Sequence, residues 1–558
     1  MPDNAALDLS KQQSPPTGRA GQVGTTAMEV LLLASLFGIL TWSIAPGVNE
    51  AHYLCKAKHF WNPEFCPDDI FLASANAHWL FLFVAGWFTQ FLSLESLAWA
   101  GRIVCWLFVA WGWQRLASCV TECSWRIVLS GGLLVVLNQQ GHLAGEWLVG
   151  GFESKPIAYG FVFWAIASLL RQRIVLGMCF LGLAICVHAL VGIWATAAIV
   201  LAVPLAGLWR ANRFDWKSLP VKQLLMGMAG LLLLAAVGVV PALNMNSRVD
   251  AELLRQAYDI QVFERLAHHQ YLFEFSYWRW FSFALLLAAW LIVGFDSKAL
   301  HSRPYRFVLG VSIGSLLIAV VGAACSIVGE SSILRFYLFR LADVMVPVGI
   351  SLGIFGMLKA RFNDSTGWIR SLMIACLLLF VLAHSAVQIF DGRSGSDRQS
   401  LTTYADNPRR TFETWKNWKR VCEWVRSNTS SDQAFLTPPY QQTFKWYAER
   451  SEIVNWKDAP QDAEGLLEWK DRIELSRSLA STGYGWLYLT DQELSKIAQG
   501  YSARYLVVEQ SAVDLRELDN DPVSFRMIYP ADPQSRTTYV VFDLRDSDTR
   551  DSETPTSD

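Results

Sequence analysis

MEVLLLASLFGILTWSIAP, residues 28–46, runs straight into Gly47-Val48-Asn49-Glu50-Ala51-His52-Tyr53. This junction decides how the chain is read. The first stretch is apolar over about the 20 residues that a helix needs to cross a bilayer. The second places a carboxylate, a histidine and a tyrosine where that helix leaves the membrane. Ionisable groups at such a boundary are costly unless they are solvated or used. Further apolar runs recur near 79–94, 98–118, 127–137, 157–170, 174–209, 223–241, 281–294, 307–328, 337–358 and 368–390. The run 174–209 is too long for one span and divides near His188. The pattern predicts an α-helical polytopic membrane protein of about 11–13 spans.

Composition agrees. Only 17% of residues are charged and 53% are hydrophobic, with a mean hydropathy of +0.26, too apolar for an ordinary soluble domain. A net charge of −2 implies no nucleic-acid partner. The chain divides into a Pro/Ser/Gly/Gln-rich arm (1–27), expected to be disordered and cytoplasmic, and a multi-spanning region (28–390). A polar, aromatic α/β domain (391–545) and an acidic, Ser/Thr-rich tail (546–558), expected to be disordered, follow. The first apolar run reads as a retained anchor, because it is long and lies too far in for a cleavable signal.

Lys and Arg set the orientation. Lys11 and Arg19, Arg171 and Arg173, Arg210 to Lys222, Lys298 to Arg306, and Lys359 to Arg370 all fit the cytoplasmic side. The Glu50 loop, 141–156, 242–278, 329–337 and the C-terminal domain are then outside. Between Glu95 and His142 this scheme needs an odd number of crossings, yet two apolar runs are visible, and the shorter (127–137) reads as re-entrant or half-buried.

Polar groups concentrate at the outer edges. Residues 47–78 hold Asn49, Glu50, His52, Tyr53 and His78, and residues 138–156 (NQQGHLAGEWLVGGFESKP) hold His142, Glu146, Glu153 and Lys155. His188 interrupts AICVHALVGIW, His268 and His269 form a doublet, and Arg335, Arg340 and Asp343 enter a span within GESSILRFYLFRLADVMVP (329–347). Arg340 and Asp343 are three apart and share a helix face, so they are expected to interact. Each residue also has a plainer reading: Glu50 as a solvated loop acid, His188 as a packing residue, Arg340 and Asp343 as a structural pair. Five of the ten cysteines (Cys105, Cys179, Cys186, Cys325 and Cys376) lie in spans and read as small buried hydrophobes. Cys55 and Cys66 share the first outer loop, where a disulfide is chemically permitted but spacing does not establish it. No Cys/His set has zinc spacing.

In the C-terminal domain, helices are predicted over 411–427 and 461–475 and strands over 434–437, 505–509 and 538–543. Phe444–Asp458, with Lys445, Arg450 and Lys457, reads as its functional surface. The segment 437–460 (TPPYQQTFKWYAERSEIVNWKDAP) also resembles the tail domains of uncharacterised bacterial proteins.

The layout over about residues 28–390 resembles the GT-C superfamily of membrane glycosyltransferases, in which an acidic motif stands in the first outer loop. Asn49-Glu50 occupies that position, with Asn where many members have Asp, and Glu146 or Glu153 occupies that of a second acidic site. The resemblance implies sugar transfer from a polyprenyl-phosphate donor to an unidentified acceptor, at the outer face of a bacterial inner membrane, with membrane lipids as further partners. It implies Glu50 as the base that deprotonates the acceptor. Asn49, His52, Glu153, Lys155, His188, His268, His269, Arg335, Arg340 and Asp343 would then be the substrate-binding groups. A divalent cation is the one cofactor it would allow, but Asn49 removes a carboxylate, and no metal ligands are assigned. Two other classes stay open: a transporter or flippase for a lipid-linked precursor, for which Arg102 is the notable mid-span charge, and a non-catalytic scaffold of the same architecture.

Overall fold

The computed structural model describes residues 19–208 except 48, 220–361 except 295–299 and 301, 379, 381–384, 386–387, and 408–545 except 478–484, 519, 521, 533–534 and 536. The N-terminal arm, the acidic tail and most of the expected span at 368–390 lie outside these residues. The protein is an integral membrane protein. Among the described residues, four helices are long and apolar enough to cross a bilayer: α5 (Leu94–Ala117), α10 (Val221–Asn244), α13 (Tyr277–Gly294) and α14 (Arg303–Val328). Shorter apolar stretches lie within α1 (Arg19–Leu40), α4 (Trp79–Phe88), α7 (Ser154–Leu170), α8 (Ile174–Val187) and α9 (Ala189–Leu208).

Local sequence explains where these helices begin and end. Ser302 caps α14 by accepting from Tyr305 N, and Gly329 ends it in the left-handed conformation at φ 71°. Ser93 caps α5 through Ser96 N. The long apolar run breaks at His188, which stands alone between α8 and α9. The second helix folds back so closely that a Cβ on Gly192 would come within 2.3 Å of Ile185 N. The 127–137 run belongs to a continuous 18-residue helix, α6 (Ser124–Gly141), and is not a short re-entrant piece. Leu225, Leu232, Leu233 and Leu243 of α10 point outward, as lipid-facing side chains do, while Leu231, Ala235 and Gly238 face the protein.

On one side of this bundle lie α2 (Glu50–Trp61) and α3 (Ile70–Ala73), α11 (Ala251–Asp259), a π-helical turn (Ile260–Arg265), α12 (Ala267–Gln270) and α15 (Ser331–Leu334), before α16 (Arg340–Arg361). The C-terminal domain packs onto the same side. Its five-stranded sheet has the order β2-β1-β3-β5-β4, with β1 (Ala434–Leu436), β2 (Ser451–Glu452), β3 (Ala503–Glu509), β4 (Arg526–Tyr529) and β5 (Tyr539–Asp543). β1 pairs in parallel with β2 and β3, and β5 is antiparallel to β3 and β4. Period-two alternation builds a core on each face. Leu506, Val508, Val540 and Phe542 pack with Trp469 and Leu494 of the helices Ala463–Arg477 and Asp491–Gly500. Tyr505, Val507, Tyr539 and Val541 pack with Trp418 and Cys422 of Pro408–Asn428. The helices and strands read from sequence in this domain are present. β2, β4 and the helices Asp491–Gly500 and Gln510–Leu518 are additional. Cys55 and Cys66 are both buried free thiols, not a disulfide.

Candidate active site

The loop between α6 and α7, residues 142–153, is the foundation of the site, and two buried carboxylates hold it. Asp343, on the first turn of α16, is fully buried and accepts from the backbone N–H groups of Leu143 (2.7 Å), Ala144 (2.9 Å) and Glu146 (3.1 Å). Glu50, at the start of α2, is also fully buried. Its carboxylate accepts from Arg102 Nε and Nη2 (both 2.6 Å), Gly47 N (2.6 Å) and Phe152 N (2.8 Å). Gly151 makes room for it, since a Cβ there would stand 2.8 Å from Glu50 Cγ. Asn138, near the end of α6, braces the middle of the loop, donating to Glu146 O (2.8 Å) and accepting from Leu148 N (2.7 Å). Buried polar groups satisfied this fully are fixed points of a fold.

The geometry bears on two of the expected roles. The carboxylate of Glu50, expected as the base, accepts four hydrogen bonds, one for each of its lone pairs. Arg340 and Asp343 share a helix face but form no ion pair: Asp343 is committed to backbone amides, while Arg340 Nη1 lies 3.5 Å from Glu146 Oε2.

Pinned in this way, the loop presents Glu146 and Glu153 to each other across Lys155. The Lys155 ammonium lies 3.6 Å from Glu146 Oε2 and 3.5 Å from Glu153 Oε2, and above the Trp147 ring. Asn49 Nδ2 (3.0 Å) and Trp147 Nε1 (3.4 Å) donate to Glu153 Oε1, and Tyr159 OH donates to Glu146 Oε1 (3.3 Å). The Arg340 guanidinium stacks 3.8 Å from the centre of the Tyr337 ring. Glu146 and Glu153 are 1% and 2% exposed, yet Glu146 Oε2, Glu153 Oε2 and Arg340 Nε have no hydrogen-bond partner. Buried charges at ion-pair distance but without hydrogen bonds are poorly stabilised by the protein alone.

The remaining predicted residues sit at the margins. His188 stacks on His78 with ring centres 4.7 Å apart, and its Nδ1 is 3.4 Å from Val191 N. His269 bonds Ala144 O through Nδ1 (2.6 Å), bracing the loop from α12, and His268 lies against it. Arg335 does not join Arg340: it lies over the Tyr258 ring at 3.8 Å. His52 turns toward the C-terminal domain, where its Nδ1 meets Asp458 Oδ1 at 2.7 Å. Asp458 belongs to a buried cluster in which Lys445 Nζ contacts Asp69 (3.0 Å), Glu452 (2.6 Å) and Asp458 (2.7 Å). Most of the stretch 444–458 is thus an interface with the segment 52–69 and not a free surface. Arg450 is likewise spent on carbonyls of Arg426 and Thr429.

Sequence reasoning missed Tyr159, Tyr337 and Trp147, aromatic residues among many. It also missed Asn138, although a lone amide at the end of an apolar helix was a usable signal. The donor set does not suit a divalent cation. Lys155 and Arg340 already match the two carboxylates, and among the described residues no group of three His, Cys, Asp or Glu side chains is placed to hold a metal ion.

Residues 416–476 match a family model described as Domain of unknown function (DUF6798). No curated protein matches the chain. Among solved structures, ArnT from Cupriavidus metallidurans bound to undecaprenyl phosphate is 13% identical with a TM-score of 0.47, over 95% of this chain and 99% of that one. The Archaeoglobus fulgidus oligosaccharyltransferase tethered with an acceptor peptide is 14% identical with a TM-score of 0.41, over 95% of this chain and 75% of that one. None of these similarities assigns a residue.

Proposed function

We propose that this protein is a membrane glycosyltransferase of the GT-C type, moving a sugar from a polyprenyl-phosphate donor to an acceptor hydroxyl on the extracytoplasmic face. The observation that carries the reading is the buried set Glu146, Glu153, Lys155 and Arg340, in which Glu146 Oε2, Glu153 Oε2 and Arg340 Nε have no hydrogen-bond partner and the charges stand 3.5–3.6 Å apart. Its position supports the reading too, on the side of the bundle that the first outer loop and the C-terminal domain share.

The chemistry needs a base and an anion clamp. Glu153 is the better base. Its Oε2 lies near Lys155 alone, whereas Glu146 Oε2 lies between Lys155 and Arg340. Glu153 Oε2 takes the proton from the acceptor hydroxyl as that oxygen bonds to the anomeric carbon. The bond from that carbon to the phosphate oxygen breaks, and the leaving lipid phosphate keeps the electron pair. Lys155 and Arg340 receive its charge, Arg through its planar fork. One displacement without a covalent intermediate inverts the anomeric centre; this borrows the logic of inverting glycosidases.

The test is a single-turnover assay with purified protein and isotope-labelled polyprenyl-phosphate sugar. Wild type should release polyprenyl phosphate, and Glu153→Gln should slow that release at least a hundredfold. Turnover by Glu153→Gln at the wild-type rate would remove Glu153 as the base, and no turnover by wild type with any sugar offered would count against the class.

A further inference from the structure

α13 carries two opposed stripes. Phe283, Leu286, Trp290 and Val293 are buried, and Trp278, Phe281, Leu285, Ala288 and Ile292 are exposed. Spacings of three and four residues keep each set on one side of the helix. α13 is long and apolar enough to span, so Leu285, Ala288 and Ile292 face acyl chains. The exposed stripe continues into the first turn of the helix, where it becomes aromatic. Trp278 is 74% exposed and stacks on Phe281 with ring centres 5.5 Å apart, while Tyr277 and Phe273, just ahead, are 95% and 62% exposed. Aromatic rings left open at the top of a lipid-facing stripe match the headgroup layer, which accommodates both an apolar ring and its polar N–H or O–H.

The buried stripe reaches the loop that presents Glu146 and Glu153. Leu286 packs so closely on the end of α6 that a Cβ on Gly141 would stand 3.0 Å from it. Phe283, Leu286 and Trp290 share one core with Leu143 and Ala144. Hydrogen bonds join the same parts. Arg279, between the aromatic residues, donates from Nη1 to His268 O (2.7 Å), and the neighbouring His269 bonds Ala144 O through Nδ1 (2.6 Å). Gly145 is left-handed at φ 75° and lies against the His269 ring, where a Cβ would come within 2.6 Å of Cε1. Ala144 N in turn donates to Asp343.

We propose that the aromatic edge Phe273–Phe281 is seated in the headgroup layer of the bilayer and that, through Arg279, the His268-His269 pair and the buried stripe of α13, it holds the loop 142–153 in register with the membrane surface. Lipid is the occupant because the edge is continuous with the lipid-facing stripe of the same helix. The inference stands whether or not the site transfers sugar, since it concerns the position of the loop and not the chemistry performed there.

The test uses the full chain in nanodiscs of phosphatidylethanolamine and phosphatidylglycerol. With the photo-reactive residue p-benzoylphenylalanine replacing Trp278 or Tyr277, illumination should give phospholipid adducts formed near the glycerol, whereas the same residue replacing Leu285 should react deep in the acyl chains. These positions are exposed and the reagent keeps an aromatic ring, so the fold is not challenged. Hydrogen exchange then reads the link. The double substitution Trp278→Ser with Phe281→Ser should speed exchange of the Leu143, Ala144 and Glu146 amides at least threefold. Arg279→Met should do the same while leaving the lipid adducts at position 278 unchanged. Adducts to a second copy of the chain, or none to lipid, would overturn the seating. Exchange in 142–148 unchanged by both variants would overturn the link to the loop.

Discussion

Replacing Glu50 with glutamine separates an anchor from a catalyst. The carboxylate accepts four hydrogen bonds, two from Arg102 and two from backbone amides, and both partners of the ion pair are at most 1% exposed. Glutamine retains one acceptor oxygen and presents an N–H₂ group to donors that cannot receive it. It also leaves the Arg102 guanidinium buried with only Ser43 O (2.6 Å) and the Trp99 ring beside it. Removing one partner of a buried pair costs about 3–5 kcal/mol, most of it the uncompensated charge. Glu50→Gln should therefore lower the unfolding free energy by about that amount, measured by denaturant titration of purified protein followed by tryptophan fluorescence. The double substitution Glu50→Gln with Arg102→Met should recover a large part, because the orphaned cation is gone. A base behaves differently: its isosteric amide abolishes turnover and leaves stability within about 1 kcal/mol. Unchanged stability with lost turnover would refute the anchor assignment and return Glu50 to the chemistry.

Asp343→Asn should destabilise by about 1–3 kcal/mol, since an amide cannot accept all three backbone N–H groups, and a double-mutant cycle with Arg340→Met should show coupling near zero; coupling of several kcal/mol would restore the pair. Gly151→Ala should displace the Glu50 carboxylate and lower stability much as Glu50→Gln does, and a neutral effect would contradict the close packing at Glu50. Burial pushes the Asp458 carboxyl up, but the Lys445 ammonium and the His52 ring outweigh it and hold it well below the usual carboxylate range. With its folded value depressed, Asp458 contributes stability that is fully present above the unfolded value of about 3.9 and is lost as pH falls below it. The thermal midpoint should fall below about pH 4, and Lys445→Met should flatten that acid loss, because without the ammonium the folded carboxyl rises toward or above its unfolded value. An acid loss as steep in Lys445→Met as in wild type would dissociate the cluster from acid stability.

Much of the architecture was legible because membrane burial writes long apolar runs, and because the break at His188 and the strands around Tyr505 and Tyr539 follow simple periodicities. The site was half legible. Composition marked the outer edges, and Asn49, Glu153, Lys155 and Arg340 do converge. What sequence spacing could not show is which acid is satisfied. Glu50 and Asp343 look like exposed chemistry in the sequence, but Arg102 lies 52 residues from Glu50, and the amides that bind Asp343 lie about 200 residues away. The helical periodicity that joined Arg340 to Asp343 was real, but three amide donors outcompeted it. Lys445 and Asp458 were read as surface for the same reason: their partners, Asp69 and His52, come from a distant part of the chain.

The most direct measurement is a cryo-electron microscopy structure of the purified protein with farnesyl phosphate bound. The account predicts the phosphorus between Lys155 and Arg340, with Glu153 Oε2 open toward the acceptor side and Glu50 still on Arg102. Phosphate density away from this cluster, with Lys155 and Arg340 still resting on Glu146 and Glu153, would contradict it.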